Sequence, residues 1–218
     1  MGASPEKSTR RQFDLTMLHA MYGAFRRDMA RLEAAGGVDG AVGSRGVRNG
    51  WETFRLHWLA QRAAEERALW TVMRGRVPGA GPRPPLVDAM EFLGLRLVPL
   101  FDTVDTALER GDGHVFAWCA RELPEAVATL LDYTEAKALP LVHELLTPYE
   151  WGTFEVEFRR EIGFRGLRDF LPWLLDGASE DTSRAVLAML PPPVRFAYRT
   201  RWLRRHERRD LWTVRPGR

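Results

Sequence analysis

The chain has 218 residues, of which 45% are hydrophobic, 28% charged and 11% aromatic, proportions that exclude a disordered chain or a coiled-coil rod. No uncharged stretch approaches the roughly 20 apolar residues that span a membrane, and the single cysteine excludes a disulfide framework or a cysteine metal cluster. Because the first residues also lack the apolar stretch of a secretion signal, we expect a soluble, cytoplasmic protein that does not associate with membranes.

The net charge of +3 is unevenly distributed along the chain. Residues 195–218 hold nine arginines and two acidic residues, so this tail carries +7 and the other 194 residues carry −4. Arginine supplies 30 of the 32 basic residues, which is typical of a GC-rich genome. Because no zinc finger, stacking motif or helix-turn-helix accompanies the tail, we predict that the protein binds no nucleic acid.

The first predicted helix begins near Phe13, after a flexible polar leader at 1–12. Asp14 or Thr16 is placed to cap it, and it ends before the Gly-rich segment 36–50, which we interpret as a flexible connection. Its apolar residues recur every three or four positions and form one stripe: Leu15, Leu18, Tyr22, Phe25, Met29 and Leu32.

Three further long helices are predicted before residue 147. The second covers about 51–73, and a Pro- and Gly-rich linker at 75–85 follows it. The third covers 86–110. The fourth covers about 115–146, with a break expected at Pro124 and strain near Pro140. No segment shows the alternating pattern of a β-strand.

These helices predict an all-α protein, an antiparallel four-helix bundle at 13–147, because each apolar stripe must be buried against the others. Residues 148–218 form an aromatic-rich helical extension that we expect to pack on the bundle. It contains a short helix at 181–190 and ends in the basic tail, for which a solvated and a docked arrangement both remain open.

Four segments carry a resemblance to a known family: MYGAFRRDM at 21–29, QRAAEERALWTVM at 61–73, DAMEFLG at 88–94 and LLDYTEAKALPL at 130–141. With them, the chain resembles the bacterial hemerythrin-like (HHE cation-binding) family, in the form common among actinobacteria. The segments 170–178 and 190–193 are similar to the trailing part of that family. The resemblance extends over nearly the whole chain and implies a hemerythrin-like bundle.

The resemblance also implies where a diiron centre would lie, since the family holds two iron ions with histidines from every helix and bridging carboxylates. The corresponding positions here are Tyr22, Gln61, Glu65, Gly94, Leu130 and Thr134. Glu65 alone keeps a family ligand type. Because an iron pair needs several converging imidazole and carboxylate donors, we expect no metal, no cofactor and no diiron chemistry.

The residues that replace the iron ligands predict a small-molecule pocket. Several of them remain polar, and Gly94 removes the volume of a ring, which leaves a cavity that costs free energy unless a ligand fills it. The predicted ligand-binding residues are His57, Trp58, Gln61, Glu91, Gly94, Leu130, Tyr133 and Thr134.

A set of three residues predicts acid–base chemistry in that pocket. In an antiparallel bundle His19 faces Glu65, so the two could act as a base and its orienting carboxylate, with Tyr22 as a nearby proton donor. The leading hypothesis is therefore a cofactor-independent cyclase, isomerase or dehydratase of specialised metabolism.

Other interpretations of the same residues stay open. In the simplest of them, His19 bonds a neighbour and Glu65 is satisfied by Tyr22, Gln61 or an arginine. A non-catalytic ligand-binding or regulatory protein is the main functional alternative. An atypical mononuclear metal site on His19, Glu65 and Glu91 is the second. His57 is expected at the rim of the pocket, and the oligomeric state is undetermined.

Overall fold

The computed structural model describes residues 13–74, 76 and 86–214. These residues are helical almost throughout, and none of them belongs to a β-strand, which confirms the predicted all-α class. The predicted leader at 1–12 lies outside the described residues, as does nearly all of the linker at 75–85. None of the described helices combines the length and apolarity that crossing a membrane requires.

Four long helices precede residue 147. They are α1 at Thr16–Gly36, α2 at Arg45–Glu65, α3 at Leu86–Arg110 and α4 at Gly113–Tyr133. A π-helical turn at Glu66–Trp70 and a last α-helical turn at Thr71–Arg74 prolong α2, and a π-helical turn at Thr134–Ala138 and the helix Leu139–Leu145 prolong α4. The bounds of α3 match the prediction.

The C-terminal part of the chain is also helical. It consists of α5 at Pro148–Leu175, α6 at Glu180–Ala188 and α7 at Pro192–Ala197, which a π-helical turn at Tyr198–Trp202 and a short helix at Leu203–Glu207 prolong. A capping box at Thr147 and Glu150 starts α5, and Gly163, with a φ of 66°, bends it.

Contacts between α1 and α4 show that these helices are antiparallel neighbours. Arg26, in the middle of α1, pairs with Asp132 late in α4 at 2.6 Å. At the other end, a β-carbon added at Gly36 would lie only 2.3 Å from that of Ala120, so glycine is required there for the two backbones to approach closely.

Contacts between α2 and α3 show that these two helices are also antiparallel. Trp51 at the start of α2 donates its indole N–H to Asp105 near the end of α3 at 2.5 Å, and Arg74 at the end of α2 pairs with Glu91 near the start of α3. Rings from α2 bridge to Phe101 of α3, with centroids 5.7–5.9 Å apart. These helices are therefore antiparallel and joined mainly through large side chains.

The prediction of a flexible connection up to Gly50 is wrong, because α2 already begins at Arg45. The chain near its C-terminus lies against this first part of α2. An added β-carbon at Gly46 would meet Thr213, and one at Gly50 would lie 2.4 Å from the indole of Trp212. The two glycines are therefore close-packing sites, and the basic tail up to Val214 is docked.

The predicted break at Pro124 is also wrong, since α4 continues through it. The helix changes its form just before Pro140. Proline cannot donate a backbone hydrogen bond and its ring crowds the carbonyl of the preceding turn. The π-helical turn at Thr134–Ala138 lies directly before it and widens the helix there.

A buried carboxylate, Asp28 of α1, joins the C-terminal part of the chain to α1. It accepts hydrogen bonds from the indole N–H groups of Trp173 at 2.7 Å and Trp212 at 3.0 Å, and it pairs with Arg31 at 3.1 Å. Burial raises the pKa of Asp28, while these donors act in the opposite direction.

Candidate functional site

The centre implied by the resemblance is a closed cluster of hydrogen bonds around Glu65. This carboxylate is fully buried and accepts from the Tyr22 hydroxyl at 2.5 Å and the Gln61 amide at 2.8 Å on one oxygen. Arg62 donates from Nη1 to the other oxygen at 2.7 Å. The interpretation in which Tyr22, Gln61 and an arginine satisfy Glu65 therefore agrees with this geometry.

Tyr22 acts in this cluster as a hydrogen-bond donor to Glu65. Burial, together with the neighbouring charge of Glu65, raises the pKa of its phenol well above the usual value of 10.0. The phenol therefore keeps its proton throughout the physiological range, and that proton is already donated to Glu65.

Unpaired buried atoms and irregular helical turns concentrate beside the same cluster. Among the described residues, Oε1 of Gln61, Nε1 of Trp70 and Nδ1 of His57 are buried polar atoms of α2 without a hydrogen-bond partner. π-Helical turns begin at Glu66 and at Thr134. Both features cost stability in an ordinary core and are frequent at functional sites.

The expected pair of His19 and Glu65 does not form. The His19 side chain is 52% exposed, and its Nδ1 lies 3.3 Å from Oε1 of Glu135 on α4. Arg26 pairs with the other oxygen of that carboxylate. His19 therefore lies at the surface beside Glu135 and Arg26, whereas Arg62 occupies the position beside Glu65.

His57 is not at a pocket rim. It is buried, and the centroid of its ring lies 4.2 Å from the centroid of the Trp173 ring in α5. Burial, the nearby Arg209 and then His206 lower its pKa to about 3, so the imidazole is neutral near pH 7. The sequence did not reveal this location because the covering aromatic ring comes from a distant helix.

The predicted site residues in α4 and in the π-helical turn after it are buried or half-buried. Leu130 is fully buried, and the buried Thr134 hydroxyl donates to the Leu130 carbonyl at 2.8 Å. Tyr133 is half-buried and packs against the core. None of these three residues lines either of the two open grooves described below.

An open groove of about 590 Å³ lies between α2 and α3. Arg62, which pairs with Glu65, is one of the residues that line it. Three of the predicted ligand-binding residues line it: Trp58, Glu91 and Gly94. A β-carbon added at Gly94 would find only Nη2 of Arg62, at 3.8 Å. Gly94 therefore leaves space on the groove side of Arg62, as its missing volume predicted.

The lining of this groove combines apolar and charged side chains. The apolar lining comprises Trp58, Leu59, Trp70, Met90, Val98 and Phe101, with Val87 and Leu95. The charged lining comprises Arg55, Arg62, Glu66, Arg74, Glu91 and Asp102. Arg74 pairs with Glu66 and Glu91, and Arg55 pairs with Asp105, so most of these charges are already compensated by neighbours.

Sequence reasoning missed Arg62, Trp70 and Phe101 as groove residues. The signal for Arg62 was its place three residues before Glu65, a spacing at which helical side chains meet. Trp70 and Phe101 could not be distinguished from ordinary core aromatics, because nothing in the sequence shows that α2 and α3 diverge enough to leave a groove.

A second open groove, of about 600 Å³, is lined by side chains of α3 and α4. Its lining includes Arg96, Trp118 and Glu122, and none of the positions implied by the family resemblance. It lacks a buried polar group behind its wall of the kind that Glu65 provides behind Arg62. We therefore regard the groove between α2 and α3 as the candidate site.

The donor set does not fit a diiron centre. Its one carboxylate already accepts three hydrogen bonds, one of them from a guanidinium, and no imidazole lies beside it. The alternative mononuclear set does not converge either, since His19 pairs with Glu135 and Glu91 with Arg74. Among the described residues, no three His, Cys, Asp or Glu side chains are grouped to hold a metal ion.

Comparison with known proteins gives no relative that would decide between functions. No protein-family model, no curated protein and no solved structure matches this chain.

Proposed function

We propose that this protein is a hemerythrin-like antiparallel four-helix bundle with a packed C-terminal extension, and that it binds a small organic molecule in the groove between α2 and α3. The observation that carries the proposal is the open space beside Gly94. A glycine in the middle of a helix costs about 1 kcal/mol relative to alanine, and here its missing side chain opens a groove onto Arg62.

The geometry favours binding over acid–base catalysis. Glu65 is fully buried, and Arg62 separates it from the groove. The Tyr22 proton is engaged by the same carboxylate. A substrate in the groove would reach neither group without displacing Arg62, so the non-catalytic alternative explains the arrangement with fewer changes.

Blocking the groove tests the binding function. Gly94→Leu places a branched side chain in the groove while improving the helix propensity of α3, so the fold should be kept. We expect the fluorescence of Nile red, a neutral apolar dye, to rise on binding to the original protein and its affinity to fall at least tenfold in the variant.

Gly152→Leu is the matched control, because an added β-carbon at this helical glycine would meet no atom within 4 Å. This variant should bind the dye like the original protein. Equal affinities in the original protein and Gly94→Leu, or no binding at all, would contradict the proposed function.

A further inference from the structure

The guanidinium of Arg62 presents one edge to the buried carboxylate and the other to the groove. Nη1 donates to Glu65, whereas Nη2 is the atom nearest to the open space at Gly94 and donates to no described residue. The side chain is 24% exposed. A guanidinium has five N–H donors in a planar fork and binds carboxylates through two parallel hydrogen bonds.

The cluster beneath Arg62 holds this edge in place. Glu65 is itself fixed by Tyr22 and Gln61, so Arg62 cannot rotate freely within the groove. A positioned donor loses less conformational entropy on binding than a mobile surface arginine. The Glu65 cluster therefore supports a binding group whose second edge is oriented before any ligand arrives.

The other basic groups of the groove are less available. Arg74 is held by Glu66 and Glu91. Arg55 pairs with Asp105, and its guanidinium carbon lies 4.8 Å above the ring of Phe101. Arg62 is thus the groove arginine whose free edge lies beside Gly94, and Trp58 and Met90 line the same groove.

From this arrangement we propose that the ligand of the groove is an organic carboxylate with an apolar body. Its carboxylate would accept from Arg62 beside Gly94, and its body would lie along Trp58, Phe101 and Val98. Asp102 lines the same groove two turns after Gly94, about 12 Å along α3, which disfavours the reverse orientation. This inference rests on the proposed function, since it names the ligand class of the same groove.

Three eight-carbon probes separate charge from apolar contact: octanoate, 1-octanol and octylammonium, each used to displace Nile red. We expect octanoate to bind the original protein at least tenfold more tightly than octanol, and octylammonium to bind most weakly. A preference for octanol or octylammonium, with dye binding that Gly94→Leu blocks, would overturn the inference while leaving the proposed function intact.

The double variant Arg62→Met/Glu65→Gln tests the source of the preference. Removing Arg62 alone would leave a buried carboxylate without its cation, which destabilises a fold strongly, whereas the double variant leaves no such charge. We expect octanoate to lose its advantage over octanol there and to keep it in Glu122→Gln, a change in the other groove. Retention of the advantage in the double variant would contradict the role of Arg62.

Discussion

At the scale of single residues, the polar side chains around Glu65 satisfy one another. Glu65 receives donors from Tyr22, Gln61 and Arg62, so its burial is compensated by hydrogen bonds to a charged group, each worth about 1.5–3 kcal/mol. The sequence allowed this outcome as one of several. It could not decide among them, because the sequence does not show which side chains of α1 and α2 lie within hydrogen-bond distance of Glu65.

His57 gives a pH dependence that can be predicted with its sign. The folded protein holds this imidazole neutral, with a pKa of about 3 instead of 6.5, so the unfolded chain binds more protons between these values. Its contribution to the free energy of unfolding is complete above pH 6.5 and is lost as the pH falls toward 3, by on the order of 5 kcal/mol.

His57→Phe keeps a ring against Trp173 and removes the titrating group. In denaturant unfolding measured at several pH values, the variant should gain stability relative to the original protein as the pH falls from 6.5. A difference between the two proteins that stays constant from pH 7 to pH 4 would contradict the account. The exposed His114 provides the control, since His114→Phe should produce no such pH-dependent gain.

At the scale of elements, hydrophobic spacing predicted the four helices before residue 147 and the short helix near 181–190, but it gave no bounds for α5 or α7. Contacts from distant residues decided where some of the helices begin and end. The limits of α3 follow from its own sequence. The start of α2 does not, because Gly46 and Gly50 are typical of a loop until Thr213 and Trp212 pack against them. Glycine there serves close approach of the chain, which the local sequence cannot distinguish from flexibility.

A substitution at Gly50 tests this explanation for the start of α2. Alanine would favour the isolated helix by about 1 kcal/mol, but its β-carbon would overlap the indole of Trp212. We expect Gly50→Ala to lower the free energy of unfolding by about 1–3 kcal/mol, the usual cost of overpacking. The measurement is chemical denaturation.

Gly43→Ala is the control for that substitution, since an added β-carbon at Gly43 would meet nothing within 4 Å. It should change the stability little. If Gly50→Ala proved as stable as the original protein, or more so, the docking of the chain around Trp212 would not explain the glycine.

At the scale of the whole molecule, the groove exists because α2 packs more closely on α1 and α5 than on α3. One side of α2 packs on α1 and on α5 through Phe25, His57 and Trp173. Toward α3, contact is made by long side chains such as Phe101, which keeps the backbones apart. The sequence predicted a cavity from Gly94. The sequence did not reveal that Arg62 also lines the space beside Gly94.

The most direct test of the α2–α3 groove is a ¹H–¹⁵N spectrum of the tryptophan indoles during titration with octanoate. Trp58 and Trp70 line this groove and Trp118 lines the other, so single Trp→Phe variants would assign the three signals. We predict saturable shifts of the Trp58 and Trp70 signals and an unchanged Trp118 signal. Shifts confined to Trp118, or no saturable shift of any indole, would contradict the account.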